Sequence, residues 1–376
     1  MAITNNGQDI LICIFQRGAA DGLNAVAPHG DAEYYIKRPN IAVPLPGDTN
    51  GAIDLDGFYG LHPALAPLKP IYDAGEMALI HATGMPHGSR SHFSAQGLIE
   101  RGVTSKTGPN TGWLGRHLSL NTTPQTSAFR VLSISGNVPV TLTGADDPLA
   151  ISDISSFGFD QAIIDSGYPD ILNNLFRSPI PFSNTAQAAL SAVDELSIAK
   201  PGSINPDNGA IYPVTDLGRK MKQAGQLIKS TLPVEVICID SSGWDHHENL
   251  PVYIQQSLSE LSGAISAFHT DMGNKMQNIT IIIHTEFGRR VAQNASQGAD
   301  HGTGSLAYAI GGGVNGGQVF SDWPGLRDQD LEMNEDLKIT TDLRMVLSEL
   351  LTKRLGGTDI NTVFPGLSYT PAGVFM

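Results

Sequence analysis

Histidines and carboxylates gather at a few glycine-punctuated places in the chain, each beside a short apolar run. Asp21 lies in QRGAADGLN, directly after the apolar residues 10–15. Asp245, His246, His247 and Glu248 follow residues 234–239 in DSSGWDHHEN. Glu286 follows residues 279–284 in TEFGRR, and Asp300-His301 stands among glycines just ahead of residues 306–310. Imidazoles and carboxylates that meet in space can hold a divalent ion or serve as acid and base. A further segment, HGSRSHFSAQ, places Ser89 and Ser91 where a helix would begin. A hydroxyl there faces unpaired backbone N–H groups that favour an anion or a developing oxyanion. Arg90, and Arg17 after the first apolar run, are candidates for gripping the nonbridging oxygens of phosphate or sulfate.

Each piece also has a plainer reading. Asp21-Gly22 reads as a turn, Ser89 or Ser91 as an N-cap, and Glu286 as the partner of Arg289 or Arg290. His246-His247 reads equally well as a solvated loop pair. What separates chemistry from architecture is whether the pieces converge, and that depends on the elements carrying them.

Near-continuous aliphatic runs predict strands over 10–15, 77–81, 129–134, 234–239, 279–284 and 306–310, the pattern of strands covered on both faces. Helical periodicity predicts helices over 62–74, 92–101, 186–196, 215–229, 255–272 and 341–355, the last capped by Thr340 or Thr341 and ending before Gly356-Gly357. Strands alternating with helices imply an α/β fold with a doubly wound, mostly parallel sheet and helices on both faces. In such a sheet the carboxyl ends of the strands share one edge, so loops distant in sequence meet there. Residues 139–213, rich in Pro, Asn, Ser and Asp, read as a loop-rich cap or insertion on a single domain spanning 1–376. The run GGGVNGG formally fits a dinucleotide-binding fingerprint, but no helix start follows it, and a glycine-rich hairpin is preferred.

Composition narrows the partners. Hydrophobic residues make up 41% and charged ones 16%, enough to bury a core. The formal net charge is −14, which disfavours capture of nucleic acid or anionic lipid. The two cysteines, Cys13 and Cys238, each sit inside an apolar run and read as small buried hydrophobes. No apolar run is long enough to insert in a membrane. The start has no basic leader, so the expected compartment is the cytoplasm, or the periplasm or exterior if a leader has been removed. No P-loop, G-x-S-x-G elbow or zincin pattern is present.

The stretches FQRGAADGLN, LHPALAPL, RSHFSAQ, GWLGRHL, GWDHHEN, HTEFGRR, ADHGTG and TDLRMVLSELL run in this order over nearly the whole chain. On them the sequence resembles the bacterial family DUF1501, of the alkaline-phosphatase-like superfamily. The resemblance implies a doubly wound sandwich with a one- or two-metal site that hydrolyses or transfers phosphate or sulfate esters. It also implies roles for single residues. Asp21 resembles the superfamily's first ligand aspartate and Ser91 its nucleophile. Asp245 and His247 resemble the Asp/His ligand pair, Glu286 stands where a strand-end Asp is usual, and Asp300-His301 resembles the late ligand histidine with its neighbour. The sequence departs from the pattern at Phe287, which stands where an imidazole is expected, and in lacking the sulfatase Cys-x-Pro-Ser-Arg motif.

Together these readings predict a hydrolase of small-molecule or glycan-linked phosphate or sulfate esters. Asp21, Asp245, His247, Glu286 and His301 would hold one or two divalent ions, with Asp300 as ligand or as orienter of His301. Ser91, Arg90 and Arg17 would act on the substrate. Nitrogen and oxygen donors without thiolate favour Zn or Mn, or Ca where carboxylates dominate. The alternatives are a non-catalytic ligand-binding or assembly protein on the same fold, and a phosphomutase-type transferase.

Overall fold

The computed structural model describes residues 9–121, 127–178, 180, 182–357 and 359–376. Among them nine strands form one sheet: β1 (Ile10–Gln16), β2 (Met77–Gly84), β3 (Val131–Ser133), β4 (Leu149–Ala150), β5 (Val236–Ser241), β6 (Ile279–Thr285), β7 (Ser305–Gly311), β8 (Gln318–Phe320) and β9 (Thr341–Asp342). Their spatial order is β8-β2-β7-β6-β1-β5-β3-β4, with β9 also paired to β2. All pairings are parallel except those of β7, which runs antiparallel to both β2 and β6.

Strand β1 shows why the sheet must be covered twice. All seven of its residues are buried, and alternate side chains leave opposite faces of a strand. Ile10, Ile12 and Ile14 join one core cluster; Leu11, Cys13 and Phe15 join another. Helices α1 (His92–Arg101), α2 (Trp113–Leu120) and α5 (Leu343–Arg354) cover the second face, and α3 (Asp216–Lys229) and α4 (Leu250–Met272) the first. The expected α/β architecture with helices on both faces is the observed one.

Several details differ from expectation for local reasons. Residues 62–74 form a 3-10 turn, Pro63–Leu68, followed by a short helix, Lys69–Asp73; Pro67 and Pro70 each remove an N–H that a continuous helix would use. Residues 129–134 begin as a 3-10 turn and become β3 only at Val131. Helix α5 is capped by Asp342, whose carboxylate accepts from the Arg344 N–H, while Thr341 and Asp342 pair with β2. The glycine run is no hairpin: β7 and β8, which flank it, do not pair with each other but straddle β2, one antiparallel and one parallel. The stretch 139–213 carries β4, which extends the sheet beyond β3, and the helices Tyr168–Phe176 and Ser183–Ala199.

The reversal of β7 matters for the site. Its first residue, Ser305, pairs with Thr83 near the carboxyl end of β2. A residue just before β7 therefore lies at the same sheet edge as residues just after β1, β5 and β6.

Candidate metal centre

Four loops meet at that edge. They bring together His92 at the start of α1, Asp245 and His247 after β5, Glu286 after β6, and Asp300-His301 before β7. The His301 Nε2 lies 3.0 Å from the Nε2 of His92, 2.9 Å from that of His247 and 3.2 Å from Asp245 Oδ1. Asp245 Oδ1 is also 3.4 Å from His92 Nε2 and 3.0 Å from His247 Nε2. Donor atoms of His92, Asp245 and His301 all fall within 4.8 Å of one another.

The outward ring nitrogens explain why these contacts are unusual. His92 Nδ1 is 2.7 Å from Glu286 Oε1, His247 Nδ1 is 3.1 Å from Asp300 Oδ1, and His301 Nδ1 is 2.8 Å from the carbonyl of Arg90. Carboxylates and carbonyls only accept, so each Nδ1 carries the hydrogen and donates it. A ring that carries no second hydrogen then turns a bare Nε2 lone pair inward. The His301 lone pair faces those of His92 and His247 and Asp245 Oδ1 at about 3 Å, which is repulsive unless a cation lies between them. With bonds of about 2.0–2.1 Å to nitrogen or oxygen, a tetrahedral ion would separate its ligands by roughly 3.3 Å. The observed spacings are of that size. Nδ1 held by a carboxylate or carbonyl with Nε2 free is also the arrangement of metal-bound histidines.

The supports are built into the loops. Gly18 donates its N–H to Glu286 Oε1 at 2.9 Å, and its φ of +121° would be strained for any other residue. A Cβ there would stand 2.7 Å from the Asp245 backbone nitrogen. Gln96 also donates to Glu286 Oε1, at 2.9 Å, and Thr285 Oγ1 lies 3.0 Å from Oε2. Burial pushes the Glu286 carboxyl up, but Gln96 and His92, among other donors, outweigh it and hold the group below its ordinary range. For Asp245, burial likewise pushes up and Arg289, with His301 and His247, pulls it down to about 2. Burial lowers His301, keeping it neutral. Asp245 therefore presents anionic oxygen and His301 neutral nitrogen at neutral pH, both competent to bind a cation.

Arg289 ties the loops together. Its wholly buried guanidinium donates to the carbonyls of Ala19 (2.8 Å), Gly18 (2.6 Å) and Ala299 (2.9 Å) and to Asp245 Oδ1 (2.5 Å). Phe287 forms the floor, with ring centroids 5.0 Å from those of both His92 and His301.

The expected residues divide into two groups. Asp245, His247, Glu286, Asp300 and His301 converge. Glu286 and Asp300 stand behind histidines, and Asp300 orients His247 rather than its neighbour His301. Asp21 is otherwise occupied: it caps the one-turn helix Gly22–Ala25, accepting from Asn24 N (3.1 Å), and pairs with buried Arg38 at 2.7 Å. The Arg90 side chain turns to Asp336, 2.5 Å away, and Glu335. Arg17 is held by Asp240 (2.8 Å) and Glu100 (3.2 Å). Ser91 is the exposed N-cap residue of α1, and its side chain makes no capping hydrogen bond. His92 was absent from the expected ligands although RSHF contains it; it supplies the third imidazole, which the sequence lacks at Phe287. Arg289 pairs with Asp245 and not with Glu286, and Arg290 pairs with Glu335 at 2.8 Å.

A family model described as "Protein of unknown function (DUF1501)" matches residues 76–363. The chain belongs to this family. The matched stretch contains β2 through α5 and every residue of the His/carboxylate cluster. No curated protein matches the chain. Among solved structures, a sulfatase from Pseudoalteromonas sp. is similar over 98% of this chain and 73% of its own, at 13% identity and a TM-score of 0.41. The alkaline phosphatase from the Antarctic bacterium TAB5 is similar over 82% and 93%, at 12% identity and 0.35. The C-terminal periplasmic domain of EcEptC from Escherichia coli is similar over 97% and 88%, at 9% and 0.38. No helix among the described residues is long and apolar enough to cross a membrane.

Proposed function

We propose that this chain is a metal-dependent hydrolase of phosphate or sulfate esters, working as one domain of the alkaline-phosphatase-like kind. The observation that carries the reading is the convergence of three Nε2 lone pairs and Asp245 Oδ1 at the carboxyl edge of the sheet. His92, Asp245 and His301 would hold a divalent ion, with His247 as a further ligand. A set dominated by imidazole suits Zn or Mn and argues against Ca, which takes oxygen ligands. When bound, such an ion supplies Lewis-acid stabilisation of the ester oxygens and lowers the pKa of a coordinated hydroxyl or water.

The chain's own groups would do the rest. Glu286, Asp300 and the Arg90 carbonyl orient the ligand rings; Arg289 fixes Asp245. Ser91, next to His92 and free of a capping bond, or a water, would attack. The side of the cluster toward solvent is open, with the Asp245 and His247 side chains 48% and 43% exposed, so a small or glycan-linked ester can reach it.

A second reading, binding without turnover, is favoured by the state of the two arginines: both Arg90 and Arg17 are neutralised by carboxylates and do not grip a substrate anion as placed. Metal analysis of the purified protein, with a panel of phosphomonoesters, phosphodiesters and sulfate esters, decides between them. Hydrolysis that is lost in Asp245→Ala and on chelation supports the hydrolase. Tight metal and anion binding without product supports the second reading. Metal-free protein, with Asp245→Ala as active as the parent, removes both. An isomerised sugar phosphate in place of free phosphate would point to a mutase-type transfer.

A further inference from the structure

The stretch LHPALAPL contributes no residue to the metal centre, yet it walls a cavity. Its histidine is held by its own backbone: the His62 N–H donates to the Ala25 carbonyl at 2.9 Å, and its ring caps the 3-10 turn Pro63–Leu68. The turn is fixed to α4, where Ser262 Oγ donates to the Ala64 carbonyl at 2.7 Å. Between the turn, the start of α4 and residues 41–44 lies a cavity of about 340 Å³. That is roughly the volume of eleven waters at about 30 Å³ each, and within the range of small-molecule sites.

The buried lining residues are Asn24, Ile41, Val43 and His62. Pro44, Pro63 and Pro251 also line it and bring no N–H. No lining side chain among the described residues is an acid, a lysine or an arginine. Asn24 is engaged elsewhere: its amide donates to the Ile41 carbonyl at 2.6 Å, and its oxygen accepts from Tyr34 and Arg38 at 2.8 and 2.9 Å. Asn50 and Gln255 are exposed to water.

His62 differs from these. Its Nδ1 accepts the Ala64 N–H at 3.0 Å, so the ring hydrogen sits on Nε2. Among the described residues nothing accepts that hydrogen. Nor is Nε2 one of the enclosed atoms that lack a partner; open space adjoins it, and the cavity is the open space that His62 lines. The residue is only 9% exposed, and burial pushes its imidazole down to about 4. At neutral pH the ring is an uncharged donor without an acceptor, which is unfavourable in a purely structural role.

We propose that this cavity is a second binding site, sharing no residue with the His/carboxylate centre, for a small uncharged molecule that has an apolar body and an oxygen acceptor for the His62 Nε2–H. The walls set the class, since a charged ligand would leave water with no opposite charge to meet it. The single unmatched donor sets the orientation, as a few placed polar groups do in apolar pockets.

Cyclohexanone, an uncharged ring with one carbonyl, is the probe. Titrated into full-length protein isotopically labelled at the histidine nitrogens, it should shift the His62 Nε2–H resonance saturably and leave those of His92, His247 and His301 in place. His62→Asn keeps an acceptor for the Ala64 N–H, because asparagine caps well, and removes the donor. Affinity, read from the probe's own resonances, should then fall about three- to tenfold. Ala42→Phe narrows the cavity from its wall, leaves His62 in place and should abolish the shift; it also serves if His62→Asn does not fold. Cyclohexanecarboxylate, the same ring with a charge, should bind at least about tenfold more weakly. No shift of the His62 resonance, a shift that survives Ala42→Phe, unchanged affinity in folded His62→Asn, or equal binding of the carboxylate overturns the site. Binding is read without metal or turnover, so failure of the hydrolase proposal leaves these outcomes unaltered.

Discussion

Glu286→Gln separates a metal ligand from a residue that holds one. Glu286 Oε1 takes the Gly18 N–H at 2.9 Å, the Gln96 amide at 2.9 Å and the His92 Nδ1–H at 2.7 Å. A glutamine carbonyl in that place accepts the same three hydrogens. Its new amide group would face Thr285 Oγ1, which can accept it while donating to the Gln16 carbonyl 2.8 Å away. The variant should therefore fold and keep the loop geometry. What it loses is the negative charge behind His92, which makes the ring a better electron donor. Losing such an outer partner costs about 10–100-fold in metal affinity, or roughly 1.4–2.7 kcal/mol. Calorimetric titration with Zn²⁺ or Mn²⁺, beside His92→Ala and His301→Ala, measures it. Affinity equal to the parent's would refute a supporting role. A loss as large as that of His301→Ala would show that Glu286 itself binds the ion, as the sequence led us to expect.

Arg289→Met removes a buried cation and takes its hydrogen bonds from four carbonyls, those of Gly18, Ala19, Trp244 and Ala299, and from Asp245. The expected loss is about 3–5 kcal/mol of stability, measured by urea unfolding, and a change below about 1 kcal/mol would mean that the loops do not depend on it. Asp336 lies under Arg90, and burial lifts its carboxyl from 3.8 to about 6 despite that arginine. Between those values the folded protein holds a proton that the unfolded chain has released, so its contribution to stability is present at low pH and declines as pH rises through the window. Asp336→Asn should remove this decline, which urea midpoints at the two ends of the window would report; an unchanged pH slope would contradict the assignment.

The sheet and the position of its site were legible because both follow from strong local signals. Continuous aliphatic runs mark strands covered on two sides, and polar residues placed after them must emerge at one edge. Asp245, His247, Glu286, Asp300 and His301, read in this way, converge at that edge. Asp300-His301 precedes its strand, and it reaches the edge only because β7 is reversed, a pairing that no property of residues 305–311 reveals. Asp21 shows the opposite failure. Its Asp-Gly turn was readable, but the buried Arg38 that claims it comes from a helix end whose docking depends on tertiary packing. His92 was overlooked because a histidine at a helix start is unremarkable until Glu286, far along the chain, is seen to hold its Nδ1. Cys13 and Cys238 are the small buried core residues that their apolar runs imply, and only the strand order shows that they are neighbours.

The reversal of β7 also divides the centre by the length of chain that must close to form it. Residues 279–311 form two neighbouring antiparallel strands and the loop between them, carrying Glu286, Arg289, Asp300 and His301 as one local unit. Closing that loop costs little chain entropy. His92, Asp245 and His247 arrive from across long parallel crossovers, which form slowly. An ion bound by both groups would be a clasp fastened only when the distant strands have docked. Its binding energy would then be added to the stability of the assembled sheet and to nothing short of it.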